Sequence, residues 1–210
     1  MVDRGLDLYE TPPCAVHALM GVEQLPHKIW EPAAGRGAIV NVLREAGHAV
    51  VASDIAQYDF DLHFVSDFLA QTKMPAGCEC ILTNPPFAIV GEFIERALDL
   101  APRVIMLARL ALLESTKRTE ILEHRGLARV HVFRNRLPMM HRDGWAGPRS
   151  TSATAFAWFV WDRTHRGPAT FHRISHDNDT TGKAMHAVLI DSTPRSPSPR
   201  INGPANRRLK

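Results

Sequence analysis

Apolar residues along the chain alternate between two rhythms. Val16, Leu19 and Met20 recur at helical spacing behind Thr11-Pro12-Pro13, which predicts a helix with Thr11 at the cap and Pro12 in its first turn. Lys28 to Glu31 then reads as a strand that runs into the turn Pro32-Ala33-Ala34-Gly35-Arg36-Gly37. A helix follows through Ile39, Val42, Leu43 and Ala46, with Gly47 placed to end it. His48 to Ser53 is a second strand, closed by Asp54, and Cys80 to Thr83 a further short buried one. Behind Phe87 the apolar positions Val90, Phe93, Ile94, Ala97, Leu98 and Ala101 line one helical face, with Glu92, Glu95, Arg96 and Asp99 off it and Pro102 as the stop. Arg103 to Leu113 predicts a central strand, Glu114 to His124 a helix closed by Gly126, and Ala128 to Phe133 and Thr154 to Trp161 two last strands. Strands alternating with helices predict an α/β sandwich around a mostly parallel sheet. The final two strands, with no helix between them, predict an antiparallel edge.

Composition narrows the class. A chain of 210 residues with 45% hydrophobic content can bury one core and carry an appendage. No stretch near the N-terminus reads as a signal peptide and no apolar run reaches the roughly 18 residues of a membrane span, so the expectation is a soluble, cytoplasmic protein without membrane contact. The three cysteines, two of them as Cys78-x-Cys80, form neither an even disulfide set nor a zinc-type pair, and are expected to be reduced. The histidines show no ligand spacing, and no metal site is expected. Charge is uneven: from Arg163 onward nine Lys/Arg face three Asp, whereas the chain as a whole is +3, leaving the remainder acidic. The Pro/Ser/Arg-rich end lacks apolar periodicity. We therefore divide the chain at 1–165 and 166–210, the second part reading as a largely disordered basic tail that is either solvated or a phosphate-binding arm.

The chemistry concentrates where the strand Cys80 to Thr83 stops at Asn84-Pro85-Pro86-Phe87. Each proline fixes its own φ and pushes the preceding residue out of the helical region, so the chain bends rigidly at a strand end. The Asn84 amide, the carbonyls of Asn84 and Pro85 and the Phe87 ring would then serve a planar ligand with an exocyclic amine; a plain Pro-Pro turn is the other reading. A second signal is the glycine turn with an acid, Asp54, 19 residues after Gly35, where nucleotide-binding α/β folds meet ribose hydroxyls. Val40 stands where a dinucleotide site needs glycine or alanine, which disfavours NAD.

Asn84-Pro85-Pro86-Phe87 resembles the motif of S-adenosylmethionine-dependent amino-methyltransferases, which methylate exocyclic or amide nitrogens, most often N6 of adenine. Glu31-Pro32-Ala33-Ala34-Gly35-Arg36-Gly37 is similar to that family's glycine loop, and Tyr9-Glu10-Thr11-Pro12 to its N-terminal cofactor element. Val65-Ser66-Asp67-Phe68-Leu69 is similar to its third cofactor segment. The resemblance spans roughly residues 9–162 and implies the Rossmann-like class I methyltransferase fold, with a seven-stranded sheet in a three-layer sandwich. It further implies S-adenosyl-L-methionine as cofactor, held by Tyr9, Thr11, Pro12, Glu31, Pro32, Ala33, Gly35, Gly37, Asp54, Ile55, Asp67, Phe68 and Asn84. Asn84, Pro85, Pro86 and Phe87 would form the catalytic corner.

The acceptor is less defined. The connection from Asn135 to Ala153 is long for a compact domain and carries Arg136, His141, Arg142, Trp145 and Arg149, a set suited to phosphates and unstacked bases. Covering core edges is its other use. A nucleic acid, DNA first, is the expected partner. No large target-recognition region accompanies the motif, so RNA adenine and protein glutamine amides stay open, as do a dimer and a silent binding module on the same fold.

Overall fold

The computed structural model describes residues 9–114, 116–139 and 154–176. Eight strands form one sheet: β1 (Lys28–Glu31), β2 (Ala49–Asp54), β3 (Phe64–Val65), β4 (Cys80–Thr83), β5 (Arg103–Arg109), β6 (Leu127–Phe133), β7 (Phe156–Asp162) and β8 (Thr170–Ile174). Their spatial order is β3-β2-β1-β4-β5-β7-β6-β8. All neighbours are parallel except at β7, which runs antiparallel to both β5 and β6. Three α-helices, α1 (Pro13–Met20), α2 (Ala38–Glu45) and α3 (Val90–Leu100), cover the sheet.

Side-chain alternation explains why the central strands are apolar throughout. Successive residues point to opposite faces, so Ile29, Leu82, Ile105, Leu107, Trp158 and Val160 join the core beneath α1 and α2. Their neighbours Trp30, Ile81, Val104, Met106, Phe159 and Trp161 join the core beneath α3. A strand covered on both faces needs no polar positions. The three buried tryptophans each donate their indole N–H: Trp30 to Ser53 Oγ (2.9 Å), Trp158 to the Ala15 carbonyl (2.9 Å) and Trp161 to the Ile121 carbonyl (2.7 Å).

Several elements differ from what the sequence predicts. Helix α1 starts at Pro13 with Pro12 as its cap, one residue later than expected, and Thr11 makes no capping bond. Pro13 forces the preceding residue into an extended conformation, and Pro12 has φ −64° and ψ 139°. The strand expected over residues 103–113 ends at Arg109, and Leu110–Leu113 forms a 3₁₀ turn. The helix expected over residues 114–124 is replaced by a 3₁₀ turn at Thr116–Arg118 and a π-turn at Glu120–His124. The Trp161 indole takes the Ile121 carbonyl as its partner within this segment, the kind of insertion that widens a helical turn.

The sheet has eight strands rather than seven. Strand β8, parallel to β6 from Arg129↔Thr170 to Phe133↔Ile174, lies in the stretch assigned to the tail. Its signal was weak because four of its five residues are exposed or half-buried. Residues 177–210 lie outside the described residues. At the edge of the sheet where β5 and β6 begin, Glu23 draws Arg103, Arg129 and His131 together. Burial pushes the Glu23 carboxyl up, but hydrogen bonds from His131 and Arg129 outweigh it and hold the group down at about 2.

Candidate active site

The carboxyl ends of β1, β2 and β4 lie side by side because these strands are parallel neighbours. A cavity opens beyond them, lined among others by Tyr9, Thr11, Glu31, Pro32, Ala33, Gly35, Asp54, Ile55, Asp67, Phe68, Asn84 and Pro86. Segments separated by up to 75 residues thus converge, since Asn84 Nδ2 donates to the Tyr9 carbonyl at 3.0 Å. Of the residues proposed for cofactor binding, Pro12 and Gly37 do not line the cavity; of the corner, Pro85 and Phe87 do not. Arg136 is exposed, and its carbonyl lies 3.2 Å from His176 Nε2. His141, Arg142, Trp145 and Arg149 lie outside the described residues.

The glycine turn is shaped from below. Gly35 has φ 52° and Gly37 φ 80°, a region that side chains other than glycine adopt at a cost. Asp54 ties the turn to β2: its Oδ2 accepts from the Gly35 N–H at 2.8 Å and its Oδ1 from the Ala56 N–H at 3.2 Å. Gly37 does its work without touching the cavity. A Cβ there would stand 2.1 Å from Cε2 of Phe60, whose ring packs over the turn. Gly37→Ala should therefore cost at least about 1–2 kcal/mol for the left-handed backbone alone, with a further loss from displacing the ring, read as a lower midpoint in thermal unfolding.

Electrostatics give the cavity its character. Among the described residues, Glu10, Glu31, Asp54 and Asp67 line it against a single cation, Arg36. Glu31 is 1% exposed and neither carboxylate oxygen makes a hydrogen bond. Burial raises its pKa well above the usual range, and the neighbouring Asp54 charge adds to the rise; Thr83 and the Asn84 N–H moderate it without closing a bond. Asp54 is raised too, by burial, with the N–H groups of Gly35, Ala56 and Ile55 opposing. Two carboxylates held out of water beside one another favour a cation between them. Asp67 spends Oδ1 on the Leu69 N–H at 2.8 Å, capping the turn Phe68–Ala70, and so holds Phe68 in the cavity wall.

The Asn84 amide is polarised by its anchoring. With Nδ2 given to Tyr9, the buried Oδ1 is an acceptor without a hydrogen-bond partner. An unmet buried acceptor costs about 1–3 kcal/mol, so a donor arriving there is rewarded. Phe87 stands beside this group, its ring centroid 5.0 Å from Tyr9 and 5.6 Å from Phe156, with the Arg109 guanidinium 4.6 Å over the ring.

Cys80 is buried and its thiol is pushed up to about 12, and Cys78 is also raised, so neither is poised as a nucleophile. Among the described residues no group of three His, Cys, Asp or Glu side chains could hold a metal ion, and no helix is long and apolar enough to cross a membrane.

Sequence reasoning missed Tyr58, Ile39 and Phe93 in the cavity wall. Ile39 and Phe93 follow the core-facing periodicity of their helices, which does not say that one end of that face meets a cavity. Arg109 carried a signal that went unused, being the one charge in the apolar run from Val104 to Leu113.

No protein-family model matches the chain, and no curated protein matches its sequence. Solved structures do share the fold. PH1948 from Pyrococcus horikoshii, provisionally assigned as an RNA methyltransferase, superposes with a TM-score of 0.57 at 12% identity over 75% of this chain and 87% of that one. The provisionally assigned class I S-adenosylmethionine-dependent methyltransferase lmo1582 from Listeria monocytogenes gives 0.52 at 11% over 75% of this chain; the chain spans 62% of that protein, less than two thirds of its length. A provisionally assigned hemolysin from Lactococcus lactis gives 0.50 at 11% over 78% and 91%. At such identities the likeness establishes the architecture, the Rossmann-like α/β fold of methyltransferases.

Proposed function

We propose that the protein transfers a methyl group from S-adenosylmethionine to an exocyclic amine, with N6 of adenine in DNA as the leading acceptor. One observation carries the reading: the buried Asn84 Oδ1, oriented by the Tyr9 carbonyl and left with its acceptor capacity unspent, at the rim of a cavity lined by carboxylates. The residues fit the cofactor. The Glu31 carboxylate, without a hydrogen bond, suits a cationic amino-acid end. Asp54 lies where ribose hydroxyls would add to its two backbone bonds, and Phe68 with Ile55 offers apolar contact to a base.

S-adenosylmethionine supplies an electrophilic methyl on a sulfonium. The exocyclic nitrogen of adenine is a weak nucleophile because its lone pair is delocalised into the ring. Asn84 Oδ1 and the Pro85 carbonyl, accepting its two hydrogens, favour a pyramidal nitrogen with a localised pair. They would also stabilise the positive charge that develops on that nitrogen as it takes the methyl group. The extra proton then leaves to solvent, and no strong base is required. A base within a duplex must first be turned out of the stack.

RNA adenine and glutamine amides present the same pair of N–H donors, so the decisive test reads the product. Mass spectrometry of nucleosides from DNA and RNA of cells expressing the chain should show N6-methyladenine above background in one of the two; methylation of neither would refute a nucleic-acid acceptor. Cofactor binding has its own probe. Asp54→Ala removes the anchor of Gly35 together with the ribose contact, and calorimetry should show S-adenosylmethionine affinity falling at least tenfold, about what one charged hydrogen bond is worth. Unchanged affinity would remove Asp54 from the site.

A further inference from the structure

The acid-lined cavity and a nucleic-acid acceptor pose an electrostatic problem. Glu10, Glu31, Asp54 and Asp67 line the cavity and favour a cationic cofactor, and those that are ionised repel a phosphodiester brought to the same edge. A cation between the two would resolve it, and β5 supplies one. Thr83, the last residue of β4, pairs with Met106, so Leu107, Ala108 and Arg109 run on past the neighbouring strand and pair with β7 alone. Arg109 therefore stands at the end of β5 beside the Asn84 corner. It is exposed, and its guanidinium lies 4.6 Å over the Phe87 ring. No hydrogen bond or ion pair engages it among the described residues.

We propose that Arg109 is the acceptor-side phosphate contact, which positions a nucleotide of the acceptor so that its base meets Asn84. This rests on the methyl-transfer reading of the site. A guanidinium held over a ring by cation–π attraction spends none of its N–H donors on that contact, and they stay available for phosphate oxygens. The ring is itself held by packing against both Tyr9 and Phe156, so the guanidinium rests on a fixed platform. Arg109 also pairs with Phe156 across the sheet, and the Leu110 N–H donates to the Ala155 carbonyl at 2.8 Å. The chain thus enters β7 at Ala155 and Phe156 beside Arg109. A phosphodiester brings a charge to this cation at every nucleotide, whereas a glutamine amide brings none of its own, and the arrangement thus favours a nucleic acid.

The test uses the full chain with S-adenosylhomocysteine bound and labelled, adenine-containing single-stranded DNA and RNA oligonucleotides of matched sequence, over a range of salt. Arg109→Ala should lower the slope of log affinity against log salt by about 0.7 on the polymer that is the true acceptor, the value for one phosphate on a single strand. It should weaken binding whatever the flanking sequence while S-adenosylhomocysteine affinity keeps its parental value. Arg109→Lys keeps the charge without the planar fork, and should restore the slope but only part of the affinity. A loss of affinity equal at every salt concentration would mean that Arg109 only covers Phe87, and would overturn the assignment. So would a parent chain that binds S-adenosylhomocysteine and neither polymer. A parent that fails to bind S-adenosylhomocysteine would bring down the methyl-transfer reading and this inference together.

Discussion

Asn84→Ala should lower the rate of methyl transfer by about 10²–10³ while leaving the protein folded and able to bind cofactor. The magnitude is that of removing one preorganised acceptor from a site where charge develops in the transition state. Folding should survive because the bend is set by Pro85 and Pro86, which the substitution leaves in place, and because the one bond made by the Asn84 side chain is that to the Tyr9 carbonyl. Losing it frees the N-terminal approach to α1 without opening the core. The conservative variant is more telling. Asn84→Asp keeps an acceptor oxygen but gives up the donor to Tyr9, so it should retain part of the activity while its carboxylate is less well aimed. Phe87→Ala should act elsewhere, raising KM more than it lowers kcat, since the ring serves bound substrate and transition state alike. Single-turnover measurements on the three variants separate these effects. A parental rate in Asn84→Ala would show that the chemistry lies elsewhere.

Glu31 should make both stability and cofactor binding depend on pH, with opposite signs. Its folded pKa lies above the ordinary carboxyl value because burial disfavours the charge. Below about pH 4.3 the group is protonated in folded and unfolded chain alike and contributes nothing. Above it the unfolded chain ionises first, so the folded state loses stability as pH rises toward the raised value. Glu31→Gln removes this term. The variant should be the more stable protein at neutral pH without ligand, with the difference vanishing toward pH 4. Binding runs the other way, because a cation beside Glu31 favours the carboxylate and its arrival releases a proton. Parental affinity for S-adenosylmethionine should therefore rise with pH. Calorimetry in buffers of different ionisation enthalpy should show the proton leaving in the parent and its release reduced in Glu31→Gln, where Asp54, also raised, can still contribute. The variant should bind about 10- to 100-fold more weakly at neutral pH, the worth of a charge-assisted bond. A parental affinity with no pH dependence would mean that no cation meets Glu31.

The class of the fold was written in the sequence because period is a local property. Ile29-Trp30 and Ile81-Leu82 read as strands because both neighbours in each pair are buried, on opposite faces, and the stripe from Val90 to Ala101 reads as a helix because only one of its faces is. The sequence also determined the corner, since two prolines bend a chain whatever surrounds them, and the acid after the glycine turn, since the length of a strand-helix-strand unit sets where β2 ends. Tertiary structure decided what depends on partners distant in sequence. That the Asn84 amide gives its nitrogen to Tyr9 and keeps its oxygen unspent follows from a contact across 75 residues. The cap moved from Thr11 to Pro12 through a local rule, but the π-turn at Glu120–His124 accompanies an indole 40 residues away. Strand β8 is exposed along most of its length and exists through its pairing with β6, which no periodicity announces. The same holds for charge. Glu23 and Glu31 are both glutamates buried in one protein, yet hydrogen bonds from His131 and Arg129 hold the first down, and burial beside Asp54 leaves the second raised. A carboxylate's proton affinity is set by what the fold brings within a few ångströms of it, and only the folded chain specifies that.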